Sequence, residues 1–166
     1  MSLLFWRKRQ WDPQPTTPCQ ILLAGDGRSA FSAQAVNEAL ARATAGSVGV
    51  VTVARIHGTS LGLPNPGLLP TRHELAERHG WVAAAVDTIV ARGGAADGQV
   101  VVTRRVVRAL ARIARTRAAR IIVIDETPYR GLRRLIEGDT GRELARRLRR
   151  HGIEVVVVPV SLSIPT

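Results

Sequence analysis

The sequence contains one cysteine, one lysine and few aromatic residues. Because Cys19 stands alone, an internal disulfide, a cysteine-based metal cluster and a redox-active cysteine pair are all excluded. The four histidines, His57, His73, His79 and His151, show none of the spacings typical of a zinc site. No stretch approaches the roughly 18 apolar residues that a membrane-spanning helix needs. This composition favours a cytoplasmic domain without a metal centre.

In place of lysine the chain uses arginine, most of it in the second half. The formal net charge is +11. Residues 99–166 carry 15 arginines and 6 acidic residues, whereas residues 1–98 carry 9 basic and 7 acidic residues. Such a skew is typical of GC-rich genomes. It also suits an anionic partner, such as nucleic acid, lipid headgroups or nucleotide phosphates.

Residues 1–19 are predicted to form a flexible tail outside the folded domain. The aromatic residues Phe5, Trp6 and Trp11 flank the basic run at 7–9, and a Pro/Thr-rich linker follows. The apolar part is too short for a signal peptide and precedes the basic cluster. A segment of this kind either stays disordered or gives weak, reversible contact with a membrane surface.

The rest of the chain alternates short apolar runs with helical repeats. Apolar runs rich in β-branched residues are typical of buried parallel strands, and apolar residues three and four apart indicate helices. The predicted strands cover Ile21–Ala24, 48–53, 99–102, 121–124 and Glu154–Pro159, and the predicted helices cover 30–43, 71–92, 105–117 and 140–151. Residues 20–160 therefore form one α/β domain, and 161–166 form a C-terminal tail. Residues 55–70 form a long Gly/Pro-rich loop whose role stays unassigned.

Strict alternation of strands and helices predicts a single doubly wound sheet. Its five strands should be mainly parallel, with helices on both faces and right-handed crossovers. The predicted strand order is the flavodoxin-like 3-2-1-4-5. In that order the turn at 25–29 and the loop after Asp125 face each other, at the switch point where such sheets bind ligands.

Side chains at the helix ends and faces carry further predictions. Ser29 is a better candidate than Asp26 for the cap of the first helix. Thr71 and Glu74 form a capping box for the second helix, and Gly152 ends the fourth. The inner face of the second helix is predicted to consist of Trp81, Ala84, Ala85, Thr88, Ile89 and Ala91. The third helix should expose a basic stripe: Arg104, Arg108, Arg112 and Arg115.

Three segments in register resemble the universal stress protein family. Residues 21–30 are similar to its opening strand and Asp-Gly-Ser turn, residues 118–124 to its fourth strand, and residues 131–138 to the end of its nucleotide loop. The resemblance covers residues 20–160 and implies a UspA-like, Rossmann-like fold with a nucleotide site, in which Asp26 would contact base or ribose. The residues that the resemblance places at this site are Asp26, Gly27, Ser29, Arg130, Gly131, Gly138, Asp139 and Thr140.

The nucleotide loop departs from the family pattern. Nucleotide-binding members carry a Gly, two residues, a Gly, nine residues, then Gly followed by Ser or Thr, and these glycines let the backbone approach the phosphates. Anchoring on Gly138 places Asp125 and Pro128 at the other glycines and Asp139 at the hydroxyl, with Thr140 next. Proline has no N–H to donate, and two carboxylates disfavour a phosphate.

These substitutions predict weakened or lost ATP binding. Three arginines in the loop could still supply cations: Arg130, Arg133 and Arg134. No sequence motif for catalysis is present, so the leading hypothesis is a non-catalytic UspA-like regulatory module.

Two other functions and one assembly stay open. The alternatives are a sensor that binds ATP or another nucleotide, and an adaptor for an anionic surface. Such an adaptor would bind nucleic acid, or a membrane at its periphery, through the Arg-rich face and the N-terminal tail. A homodimer is predicted through Glu154–Pro159, because an open apolar edge strand is an aggregation hazard.

Overall fold

The computed structural model describes residues 17–44, 46–56, 69–126 and 139–159. The strands are β1 (Ile21–Ala24), β2 (Val48–Arg55), β3 (Ala96–Thr103), β4 (Ile121–Glu126) and β5 (Glu154–Pro159). The helices are α1 (Ala33–Arg42), α2 (Arg72–Ala91), α3 (Val106–Thr116) and α4 (Thr140–Leu148), which a short 3₁₀ turn (Arg149–His151) extends. The predicted order of elements is confirmed. The predictions for residues 1–16, most of the 55–70 loop, 127–138 and the C-terminal tail lie outside the described residues.

All five strands form one parallel sheet in the order β3-β2-β1-β4-β5, as predicted. The central strand β1 is short, and Ile21 pairs with Val48 of β2 on one side and Ile121 of β4 on the other. β3 is the edge strand that the sequence indicated, but it begins at Ala96 rather than residue 99. It is longer because it pairs with β2 over the full length of both strands.

The core lies in two layers, one on each face of the sheet. Successive side chains of a strand point to opposite faces. Leu22 and Ala24 of β1 therefore pack beneath α3 and α4, whereas Ile21 and Leu23 pack beneath α1 and α2. Burial on both faces explains why β1 is apolar without alternation.

The helix ends confirm two predicted caps and correct a third. Thr71 and Glu74 form the predicted capping box, and Gly152 has the positive φ (67°) that ends the 3₁₀ turn. The cap of α1 is Ser32, whose hydroxyl accepts the N–H of Ala35 at 3.0 Å. The prediction that Ser29 caps this helix is wrong, because the turn after β1 extends three residues further before the helix begins.

The predicted inner face of α2 is correct only in part. Val82, Ala85 and Ile89 are buried, but Ala84 and Ala91 are exposed. These three buried positions are spaced by three and four residues and so form one helical stripe.

The packed domain begins earlier than residue 20. Cys19 is buried in the core, and its N–H donates to the carbonyl of Arg117 at 3.0 Å. Arg117 is only 1% exposed, its Nε donates to the carbonyl of Thr17, and its guanidinium forms two hydrogen bonds with the carboxylate of Asp97. Residues 17–19 are therefore part of the fold, because the buried guanidinium binds this segment to the start of β3.

Candidate functional site

The turn after β1 lies against the end of β2. Gly27 has φ of +82°, a conformation that glycine adopts without strain. A Cβ at this position would overlap the carbonyl oxygen of Val53 in β2. Glycine is therefore required at this position of the predicted site for two independent reasons, backbone conformation and space.

Asp26, the predicted contact to base or ribose, is held by two arginines. Its carboxylate accepts the N–H of Arg28 at 3.0 Å and lies 3.5 Å from the Arg28 guanidinium and 3.7 Å from that of Arg55. The Nε of Arg55 also donates to the Asp26 carbonyl at 3.0 Å. Asp26 is only 9% exposed, so the carboxylate serves first to bind the turn to the end of β2.

Sequence reasoning missed Arg55 as a site residue. Arg55 is the charged last residue of a largely apolar strand, and this position was the feature of the sequence that could have identified it. Its position beside Asp26 depends on the sheet register, which pairs Ala24 of β1 with Val51 of β2.

The N-terminus of α1, which follows the first turn, contacts the end of β4 through Ser32 and Asp125, whereas most of the loop predicted to face this turn lies outside the described residues. The Asp125 carboxylate accepts the Ser32 hydroxyl at 2.6 Å and the Ser32 N–H at 2.8 Å. Asp125, which stands at a glycine position of the family pattern, thus binds the N-terminus of α1. Ser29, predicted to lie at the site, is exposed on the same turn.

The N-terminus of α4 has a carboxylate of its own. Asp139 caps this helix by accepting the N–H of Arg142 at 3.0 Å, and its carboxylate lies 3.6 Å from the Arg142 guanidinium. Thr140 is the first residue of α4 and lines a cleft beside it. The other predicted site residues, Arg130, Gly131 and Gly138, lie outside the described residues.

Two adjoining clefts lie at the start of α3, and the larger of them extends to the face of α4. The larger, of about 380 Å³, is lined by Arg55, Arg104, Arg105, Val106, Val107, Arg108, Thr140, Glu143 and Arg147. The smaller, of about 280 Å³, is lined by Thr103, Arg104, Arg105, Arg108, Ala109 and Arg112. The predicted basic stripe of the third helix is exposed, as expected, and part of it forms the wall of these clefts.

The titratable groups of the described residues do not assemble a metal site. No three His, Cys, Asp or Glu side chains among them form a group that could hold a metal ion. Burial raises the pKa of the Cys19 thiol, and the nearby Arg117 charge opposes this only in part. A buried thiol with a raised pKa is a poor nucleophile at neutral pH.

None of the helices in the described part of the chain is both long enough and apolar enough to cross a bilayer.

Solved structures of universal stress proteins share this architecture. A family protein from Burkholderia pseudomallei is 23% identical, with a TM-score of 0.58 over 89% of this chain and 100% of its own. A universal stress protein from Archaeoglobus fulgidus in complex with dAMP is 19% identical, with a TM-score of 0.55 over 85% of this chain and 96% of its own. Another, in complex with cAMP, is 21% identical, with a TM-score of 0.58 over 87% and 100%.

No protein-family model matches this chain, and no curated protein sequence matches it either. At identities near 20% the structural likeness establishes the fold. The UspA-like fold expected from the three sequence segments is thus confirmed.

Proposed function

We propose that this protein is a member of the universal stress protein family that acts by binding rather than catalysis and that binds nucleotides only weakly. The fold supports the family, and structures with this fold include complexes with dAMP and cAMP. The turn after β1 and the start of α1 meet the end of β4 at the switch point of the sheet, where a nucleotide would lie.

The cap of α4 is the observation that carries the weak binding. The N-terminus of a helix attracts a phosphate through its free N–H groups and the positive end of its dipole. Here the carboxylate of Asp139 already accepts one of these N–H groups, from Arg142, and brings a negative charge to the same place. A nucleotide phosphate must displace or approach this carboxylate, and either event weakens binding.

Replacing Asp139 by asparagine tests this proposal. Asparagine caps a helix as well as aspartate does, so the helix stays intact while the charge is lost. We expect Asp139→Asn to strengthen ATP binding about two- to fivefold, equivalent to roughly 0.3–1 kcal/mol. Calorimetric titration with ATP and Mg²⁺ measures the change.

Asp87→Asn is the matched control, because Asp87 is exposed on α2 and its loss changes net charge by the same amount. Equal affinities of Asp139→Asn and Asp87→Asn would show that the cap does not weaken binding. No heat from any of the three proteins at millimolar nucleotide would remove nucleotide binding from the proposal.

We also propose that the protein forms a homodimer through β5. β5 is an edge strand, and within the described part of the chain its backbone groups on the open side have no neighbouring strand. Its central residues are all valine, and Val157 is 36% exposed. Pairing of this edge with a second copy would cover both the open backbone and the exposed valine.

Val157→Lys should convert the dimer to a monomer of 17.9 kDa in sedimentation velocity. A lysine at this point brings two ammonium groups together in the paired edge. Val102→Lys is the control, because Val102 is 45% exposed on the opposite edge strand, β3. Dissociation by Val102→Lys alone would place the interface at β3 instead.

A further inference from the structure

The two adjoining clefts form one strongly basic surface, which we call the arginine groove: Arg104, Arg105, Arg108, Arg112 and Arg147. Arg55 completes its rim, with its guanidinium directed to Asp26. Of the residues that the structure describes, Glu143 is the one acidic residue that lines either cleft. The groove therefore concentrates positive charge well beyond the average of the surface.

These five guanidinium groups have no carboxylate partners among the described residues. Other arginines of the domain are paired, such as Arg42 with Glu38 and Glu154, Arg117 with Asp97, and Arg142 with Asp139. Exposed arginines outside the groove, such as Arg115, Arg120 and Arg150, also lack a carboxylate partner among the described residues, so the groove is distinguished by five such arginines that line adjoining clefts.

Like charges lie close together in the groove. Arg108 and Arg112 are four residues apart on α3, which places their Cβ atoms about 5–6 Å apart on one face, and Arg104 and Arg105 precede the helix at the same end. Like charges at this spacing repel, and the repulsion is relieved when an anion lies between them.

The start of α3 adds a further positive end. Its N-cap residue is Arg105, and no side chain there accepts a hydrogen bond from the first turn of the helix. The first N–H groups of a helix lack partners within the helix. Val106 and Val107, the first two residues of α3, line the larger cleft, so the positive end of the helix dipole lies at the groove. The arginine side chains and the N-terminus of α3 therefore both attract anions.

The lining selects against ligands that contain bases or lipid. Among the described residues no aromatic side chain lines either cleft, so this part of the lining offers bases no surface for stacking. The apolar lining is small, consisting of Val106, Val107 and Ala109. A planar membrane surface does not enter a cleft between two helices, whereas a thin chain of phosphates does.

We propose that the arginine groove binds a linear polyphosphate chain, with successive phosphates held by the guanidinium groups at the start of α3 on one side and by that of Arg147 from α4 on the other. Guanidinium donates two parallel hydrogen bonds to a phosphate, so five such groups suit a repeating phosphate chain better than a single ion. The groove shares Arg55 and Thr140 with the candidate nucleotide site, so a preference for long phosphate chains over short ones distinguishes this proposal from nucleotide binding.

The test measures binding of the full-length chain to fluorescently labelled, size-fractionated inorganic polyphosphate by anisotropy, with unlabelled tripolyphosphate as a short competitor. We expect long chains to bind at least tenfold more tightly than tripolyphosphate, and the affinity to fall steeply with salt. The double variant Arg108→Gln/Arg147→Gln should lose about tenfold in affinity or more. Both side chains are exposed, so circular dichroism should show an unchanged fold.

Two matched controls separate the groove from net charge. Arg120→Gln/Arg150→Gln removes the same charge from exposed positions outside the groove and should change the affinity less than twofold. Glu143→Gln should strengthen binding about two- to fivefold, because it removes the carboxylate of the groove. Asp87→Asn, with the same charge change on α2, should not.

Equal losses of polyphosphate affinity in the two double arginine variants would overturn the proposal. The absence of polyphosphate binding at low salt would overturn it as well. Single-stranded or duplex DNA that competes better per phosphate than polyphosphate would assign the groove to nucleic acid. Preferential capture by phosphatidylserine vesicles would assign it to a membrane surface. The ATP titration of Asp139→Asn reports separately on the switch point, so each proposal can fail alone.

Discussion

Gly27→Ala is expected to destabilise the domain by about 2–5 kcal/mol. The new Cβ would overlap the carbonyl oxygen of Val53, and a non-glycine residue at φ of +82° adds strain of roughly 1–2 kcal/mol. The overlap adds a repacking penalty of roughly 1–3 kcal/mol, because the obstacle is backbone in a central strand rather than a flexible side chain. Urea denaturation followed by circular dichroism measures the loss.

Gly93→Ala separates the two causes. Gly93 has φ of +84°, nearly the same as Gly27, but no atom lies within 4 Å of the position that a Cβ would take. We therefore expect this variant to lose only the conformational part, about 1–2 kcal/mol. If the two variants lose the same amount, the close approach of the turn to β2 contributes nothing to stability.

The second large effect is expected at Arg117→Met, with a loss of about 3 kcal/mol. Its guanidinium is buried, and the substitution leaves the Asp97 carboxylate and the Thr17 carbonyl without their partner. Removing one partner of a buried ion pair typically lowers the free energy of unfolding by roughly 3–5 kcal/mol. The lower figure applies here because Asp97 is partly exposed to solvent. Methionine fills much of the same volume, so the measured loss reports on the charge and its hydrogen bonds.

Arg115→Met is the control for this substitution, since Arg115 is exposed on the same helix and makes no ion pair among the described residues. It should change the stability by no more than about 0.5 kcal/mol. The double variant Arg117→Met/Asp97→Asn should recover part of the loss, because the carboxylate left behind is removed as well. Similar stability of Arg117→Met and Arg115→Met would show that the buried pair is not stabilising.

The site was predictable to the extent that local patterns determine it. The apolar run of β1 followed by glycines identified the turn, and the resemblance identified Asp26 and Gly27 as its important residues. The capping box of Thr71 and Glu74 could also be predicted from the sequence, because both partners lie within one turn of helix. The cap of α1 was placed at Ser29 rather than Ser32, since a suitable hydroxyl occurs at both positions.

Contacts between distant parts of the chain could not be predicted in this way. Ser32 meets Asp125 across 93 positions, and Arg117 meets Thr17 across 100. Asp125 was expected to act only as a negative charge near phosphates. Its use at the start of α1 depends on which strands are neighbours and in which register they pair.

The sequence by itself determined the layers and order of this fold, because the burial of an apolar strand and the stripe of a helix are properties of adjacent residues. The prediction that the nucleotide loop departs from the pattern implied by the resemblance also rests on the sequence alone, since Asp125 and Asp139 are visible without coordinates. Only the tertiary structure decided how the charges are used. Parallel pairing placed Arg55 against Asp26, and the packing of α3 beside α4 brought Arg108 and Arg147 into one groove. Charge interactions act through space, and distance in space is set by the packed fold rather than by position along the chain.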